Sequence, residues 1–415
     1  MAPLAPAATK TTAPVRVFLV DDSPVALLLL QRLLAGDAGI QVVGTARNGR
    51  EAMALLQAAR PDVIVTDYYM PVMNGLELVR EVMEKFPRPI LVVSSAVGAS
   101  RDETFALLQA GAVDLFAKPQ GLENSAEAAA QLAQKIRLVA GVSVISRRAA
   151  SSSQPPASPL APSTCTPPRA AAVRDGSAAA AARGESPTRP AAMASAQQRV
   201  YAGRVTSAHA IARGQTGAQL VAIGASTGGP QTLQAILSAL PASFPCPILC
   251  VQHISHGFLE GLVEWLARSC RLGVRVAQDG EEARAGTIYF APHDRHLEIG
   301  AGNCLLHSPA PPIDGHRPSA SALFGSVARC LGPRAVGVLL TGMGSDGAAG
   351  LLEMARRGAA TIAQDEASSV IFGMPRQAIE LGAAQYVLPL DQVAPALERL
   401  AAPAATASGA RAKEL

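Results

Sequence analysis

Aromatic side chains make up only 4 % of this 415-residue chain, and its six cysteines, at 165, 246, 250, 270, 304 and 330, include no Cys-x-x-Cys pair. Neither a disulfide framework nor a cysteine-based zinc site is therefore expected, and the thiols read as reduced ones in a cytoplasmic protein. Charge is sparse as well. Charged residues are 16 % of the chain, and 36 Lys and Arg against 32 Asp and Glu leave a net charge of +4. No Lys/Arg run of the nucleic-acid type occurs, which speaks against a dedicated nucleic-acid binder. Residues 1–14 are rich in Ala, Pro and Thr but lack the continuous apolar stretch of a signal peptide. Residues 214–259 contain no Asp, Glu, Lys or Arg, yet seven glycines and prolines between 224 and 247 break them up. Short buried strands are expected there, with no direct membrane insertion.

What the chain does have is apolar mass. Hydrophobic residues reach 49 %, enough for sizeable cores and incompatible with global disorder. At about 150 residues per domain the length suggests two or three domains. Over residues 15–140, apolar runs at 15–20, 40–44, 63–66, 90–94 and 113–116 alternate with helical stretches such as Pro24–Ala35, for which Ser23 is the N-cap and Pro24 the first helical residue. Five strands alternating with helices imply a doubly wound parallel sheet, in which ligands sit beyond the carboxyl ends of the strands. Residues 141–216 change character: Ser/Pro-rich at 151–168, an alanine run at 178–182, and no aromatic before Tyr201. Such a segment buries too little apolar surface to offset its ordering entropy and reads as a disordered linker. A second α/β pattern occupies residues 217–402, and an Ala-rich tail follows.

In the first pattern Asp21 and Asp22 end the first strand, Asp67 the third and Ser94 the fourth, while Lys118 follows the fifth. All fall on one edge of the sheet. Converging carboxylates repel one another unless a cation neutralises them, and a hard oxygen set with room for water suits Mg²⁺. A carboxylate beside such an ion can accept a phosphoryl group, which Lys118 and the Ser94 hydroxyl would then contact. Singly, each acidic residue is as well explained as a solvated strand-end cap. The ordered set, with Lys118-Pro119 and Asp67-Tyr-Tyr-Met-Pro71 through Gly75, resembles the response-regulator receiver domain, a flavodoxin-like fold. The resemblance implies Asp67 as the phosphorylated residue, Asp21, Asp22 and Asp67 as Mg²⁺ ligands, and Ser94 and Lys118 as switch residues. Leu115 departs from it, since many receivers carry an aromatic switch at that position.

In the second pattern Gly224-Ala-Ser226-Thr-Gly228-Gly229 joins a strand at 220–223 to a helix starting near Pro230. A serine on a strand-to-helix turn flanked by glycines can present its hydroxyl above the sheet, where helix N–H groups favour negative charge. Alone this signal is weak, because Gly-rich turns also cradle phosphates. His253 ends the next strand, at 248–252, and Asp346 follows a strand at 335–340. Ser, His and Asp thus each lie at a strand's carboxyl end, as triad chemistry requires, with His253 as base and Asp346 orienting it. The order differs from the Ser…Asp…His of α/β-hydrolases, which disfavours that family. His253/His256 and His293/His296 have spacing that can hold zinc, but no Cys or Glu completes a set. His293 and His296 flank a turn between 287–291 and 297–299 that looks like a hairpin. Cys246 and Cys250 read as core residues, and Trp265 as packing a helix.

Together with Val251-Gln-His253, Ala291-Pro-His293, His316-Arg-Pro-Ser319, Leu340-Thr-Gly-Met-Gly-Ser-Asp346-Gly347, Ala363-Gln-Asp-Glu366 and Phe372-Gly-Met-Pro375, this half resembles the catalytic domain of the chemotaxis protein-glutamate methylesterases (CheB). The order receiver, linker, esterase matches that family. The resemblance implies a Rossmann-like catalytic domain with triad Ser226, His253 and Asp346. Thr227 would lie beside the nucleophile and the Met343 N–H at the oxyanion. It also implies glutamate γ-methyl esters on methyl-accepting chemotaxis receptors as substrate, release of methanol, deamidation of receptor glutamines in some relatives, and the chemotaxis histidine kinase CheA as phosphodonor. No cofactor is expected for the esterase step. His256 and Ser321 depart from the family pattern, Ser321 standing where an Asp is common. An unphosphorylated receiver is expected to cover the cleft near Ser226. Two other readings keep part of the pattern: a receiver joined to a non-catalytic output, and an esterase for small soluble esters.

Overall fold

The computed structural model describes residues 13–94, 101–119, 125–142, 144 and 217–402. The expected linker at 141–216 lies almost wholly outside the described residues, as does Cys165. The first half runs β1 (Val15–Val20), α1 (Pro24–Ala35), β2 (Ile40–Ala46), α2 (Gly49–Ala59), β3 (Val63–Thr66), α3 (Gly75–Lys85), β4 (Ile90–Ser94), α4 (Arg101–Ala110), β5 (Asp114–Ala117) and α5 (Ser125–Ala140). All its strand pairs are parallel, in the order β2-β1-β3-β4-β5. β3 and β4 are buried along their whole length, which is why they read as unbroken apolar runs. Helix starts follow local chemistry. Ser23 Oγ accepts from Ala26 N at the head of α1, and Asn74 and Glu77 form a reciprocal capping box on α3.

The second half runs β6 (Leu220–Ala225), α6 (Gly229–Ala239), β7 (Ile248–Gln252), α7 (Leu259–Ser269), β8 (Gly273–Val276), β9 (Thr287–Phe290), β10 (His296–Ile299), β11 (Leu305–Ser308), α8 (Ala320–Leu331), β12 (Ala335–Leu339), α9 (Ala348–Arg356), β13 (Ala360–Gln364), α10 (Met374–Glu380), β14 (Tyr386–Leu388) and α11 (Leu390–Ala401). Its main sheet has the order β14-β13-β12-β6-β7-β9-β8 and every pair in it is parallel. The chain winds outward from β6 on one side and returns to pair β12 on the other. The β6/β12 boundary is therefore the topological switch point, where such sheets open a crevice.

The hairpin is a different one from that expected. β9 does not pair with residues 297–299; it lies parallel between β7 and β8 in the main sheet, and β10 instead pairs antiparallel with β11. The turn at 291–295 thus leads out of the sheet. Trp265 packs a helix as expected, and that helix is α4. It is 6 % exposed and stacks on Phe105 of α4, with ring centroids 5.4 Å apart and planes 25° apart, so it packs against the first half. By contact, the described residues of both sheets belong to one unit. Among the described residues no helix is long and apolar enough to cross a membrane.

Candidate active site

Two sites emerge, each at the carboxyl edge of its sheet. In the first, one oxygen from each of Asp21, Asp22 and Asp67 lies within 4.8 Å of the others. Lys118 Nζ sits between Asp21 Oδ2 at 2.6 Å and Asp67 Oδ2 at 2.8 Å. Burial raises the Asp21 carboxyl above its ordinary pKa, and Lys118 offsets this only in part. Burial also works against the Lys118 ammonium, but its bonds to Asp21 and Asp67 more than compensate and hold its pKa above the usual lysine value. The turn after Asp67 needs Gly75, where a Cβ would come within 2.3 Å of the Asp67 carbonyl. Ser94 is buried and its hydroxyl has no hydrogen-bond partner, an unused donor on the same edge. Paired carboxylates, a lysine and an idle hydroxyl suit a hard cation together with an incoming tetrahedral anion.

The second site gathers at the switch point. Ser226 ends β6 and is 8 % exposed. The turn that follows is tight because Gly228 has φ +77° and because a Cβ on Gly229 would meet Gln252 Oε1 at 2.0 Å. That close approach lets Gln252 Nε2 donate both to Ser226 O at 2.8 Å and to His253 O at 2.9 Å, binding the ends of β6 and β7 together. His253 N in turn donates to Ala225 O at 2.9 Å. From the other side Ser226 N donates to Thr341 O at 3.0 Å, and Gly342 comes so close that a Cβ there would lie 2.8 Å from Ser226 Cβ.

His253 Nε2 meets Asp346 Oδ2 at 2.9 Å, while His253 Nδ1 is buried with no hydrogen-bond partner. With Nε2–H donating to the carboxylate, a neutral imidazole carries its lone pair on Nδ1. Asp346 is 1 % exposed. Its Oδ1 accepts from Ser319 Oγ at 2.6 Å, Ser321 N at 3.0 Å and Gly347 N at 2.9 Å, and its Oδ2 also accepts from Ala320 N at 2.7 Å. Burial alone would raise this carboxyl, but His253 and the donors at the head of α8 hold it far below the usual carboxylate range. Asp346 is thus a buried anion held in place beside the imidazole.

Sequence reasoning gave no role to several residues that build this arrangement. His316 stacks on His253, with centroids 3.9 Å apart and planes 6° apart. Burial and the neighbouring His253 push its pKa down to about 4. Gln252 and Ser319 brace Ser226, His253 and Asp346 through the bonds just described. All three lie in quoted motifs, so position was the available signal. Of the departures, Ser321 Oγ accepts from Gly347 N at 2.8 Å, so it serves the Asp346 turn. His256 is exposed and stacks on His293 at 4.8 Å. His296 is fully buried, with one ring nitrogen on Pro311 O and the other on Ser319 N, which leaves it no lone pair for zinc.

Thr227 follows Ser226, and Met343 follows Gly342, which approaches Ser226. The Thr227 carbonyl accepts from Thr341 Oγ1 at 3.0 Å, and the Gly342 carbonyl holds the N–H groups of Gly373 and Met374. Both also touch the first half. Lys135 Nζ of α5 donates to Thr227 Oγ1 at 3.2 Å, and Gln134 Nε2 lies 3.6 Å from Met343 Sδ. Cys246 and Cys250 are buried as expected, and burial raises their thiols far above the usual range.

The CheB methylesterase family matches residues 221–397, and the response regulator receiver domain matches residues 17–130. Over 391 residues the chain is 41 % identical to the protein-glutamate methylesterase/protein-glutamine glutaminase 4 of Geobacter metallireducens, across 93 % of this chain and 99 % of that one. It is 39 % identical over 387 residues to the corresponding protein 2 of Anaeromyxobacter dehalogenans, across 93 % and 97 % of the two chains. The crystal structure of the Thermotoga maritima CheB methylesterase catalytic domain is 38 % identical, with a TM-score of 0.43, and matches 45 % of this chain and 100 % of that one.

Proposed function

This chain belongs to the family of protein-glutamate methylesterase/protein-glutamine glutaminases, and from that premise we propose that it is a phosphorylation-regulated serine hydrolase acting on chemotaxis receptors in the cytoplasm. In this reading a receiver spans residues 15–140 and a catalytic domain residues 217–402. The observation that carries it is the His253 imidazole, held through Nε2 by the buried Asp346 with its Nδ1 free of any hydrogen bond, on a residue whose backbone N–H donates to the Ala225 carbonyl just before Ser226.

Ser226 Oγ attacks the γ-carbonyl of a glutamyl methyl ester while His253 Nδ1 takes its proton. The ester C–O bond then breaks, the proton passes to the departing methoxide, and methanol leaves an acyl-enzyme. Water, deprotonated by the same nitrogen, cleaves the acyl bond and restores Ser226 and a free glutamate. Asp346 stays ionised throughout and stabilises the imidazolium that forms twice per turnover. Thr227 and the Met343 N–H stand on either side of the developing oxyanion. A receptor glutamine would follow the same path with ammonia leaving.

In the receiver, Asp67 accepts the phosphoryl group from the phosphohistidine of a histidine kinase, for which CheA is the proposed donor. Asp21, Asp22 and Asp67 would hold Mg²⁺, which supplies neutralisation of the phosphoryl charge. Lys118 is placed to pair with the new phosphate, and Ser94 to donate its idle hydroxyl.

Methanol release from methylated receptor membranes tests the hydrolase. Ser226→Ala is expected to lower the rate by at least about 10³-fold, since loss of a triad nucleophile removes most of the catalysis. Undiminished release from Ser226→Ala would sink this assignment.

A further inference from the structure

The contact between α5 and the catalytic turn is more specific than a lid lying over a cleft. Two consecutive receiver residues reach the two residues that flank the nucleophile: Gln134 meets Met343, and Lys135 meets Thr227. Those are the positions between which the substrate carbonyl oxygen must sit. The Lys135 ammonium is not loose there. Its Nζ is 2.6 Å from Asp114 Oδ2, and Asp114, itself buried, is further fixed because its Oδ1 accepts from Leu115 N at 2.8 Å. An ammonium anchored in this way brings positive charge towards the stacked His253 and His316 pair, where catalysis requires a second cation to form.

Asp114 is also the first residue of β5, and Lys118 follows the last. The two ends of one four-residue strand therefore carry three ion pairs, Lys118 with Asp21 and with Asp67 at one end, and Asp114 with Lys135 at the other. At Leu115, between them, the aromatic switch of many receivers is absent, and β5 holds a charged group at each end.

Resting on the esterase reading above, we infer that Lys135 is a plug tethered by Asp114: its side chain occupies the seat of the substrate carbonyl between Thr227 and Met343, and the Asp114–Lys135 pair ties the plug to β5. Inhibition then depends on this one charged side chain as well as on the closeness of the two domains.

Trp265 makes the two effects separable. It is the only tryptophan in the chain, and its stack on Phe105 crosses between the halves, so its emission reports whether they remain docked. The experiment uses the full-length protein without phosphodonor and measures methanol release together with Trp265 emission for wild type, Lys135→Met, Lys135→Arg and Asp114→Asn. Lys135→Met and Asp114→Asn are each expected to raise basal release about fivefold or more, the lower range of ordinary coupling between sites, with Trp265 emission unchanged. Lys135→Arg, which keeps charge and reach, is expected to remain repressed. Unchanged basal release in both charge-removing variants would overturn the plug. So would a rise that comes only with the emission change that phosphodonor produces in wild type, since Lys135 would then merely hold the domains together. Failure of the esterase reading looks different: methanol release that survives Ser226→Ala, whatever Lys135 does.

Discussion

The geometry around Asp346 is one that only a carboxylate can meet. It accepts from five donors, His253 among them, and is all but sealed from water. Asp346→Asn would turn one acceptor oxygen into an NH₂ facing donors and would favour the wrong imidazole tautomer. Methanol release is expected to fall by about 10⁴-fold, as for the equivalent change in other triads, and release within tenfold of wild type would show that the carboxylate is not orienting the base. At this scale the sequence was legible wherever chemistry sits at a strand's end. Ser226, His253, Asp67 and Lys118 stand out as candidates because each follows an apolar run, and Asp346 because its Gly-rich turn follows one. Gln252, Ser319 and His316 could not be given roles, because a side chain bonding to backbone or stacking on another ring leaves no periodic trace.

The segment between β11 and α8 shows what an irregular element contributes. It brings His316 onto His253 and ends at Ser319, which both caps α8 and bonds Asp346. His316 faces His253, Asp346, Asp314 and Lys135, and burial first, then His253, depress its pKa from 6.5 to about 4. Between those values the unfolded chain binds this proton and the folded one does not. Stability contributed by the neutral ring is therefore present above pH 6.5, falls as the pH drops towards 4, and is gone below it. Thermal unfolding should shift downwards over that window more steeply for wild type than for His316→Phe, which keeps an aromatic ring without a titrating group. Parallel curves would mean that His316 is protonated in the folded protein. Elements were read best where burial is continuous, as in β3, β4 and β7. The β9–β10 pairing was misread because an apolar run carries no mark of whether its partner is the next strand or one far along the chain.

Across the whole molecule, the two parallel sheets and their order of appearance follow from the alternation of apolar runs and helices. What sequence could not supply is how the halves meet. An amphipathic helix such as α7 looks the same whether Trp265 faces its own sheet or Phe105 of another domain. Where they meet, α5 touches Thr227 and Met343. The most direct measurement is methanol release by the full chain from methylated receptor membranes, with and without a small-molecule phosphodonor, for wild type and Asp67→Asn. The account predicts that phosphodonor speeds wild type by about fivefold or more and leaves Asp67→Asn at its basal rate. Equal rates for wild type in both conditions, or an equal response in Asp67→Asn, would contradict it.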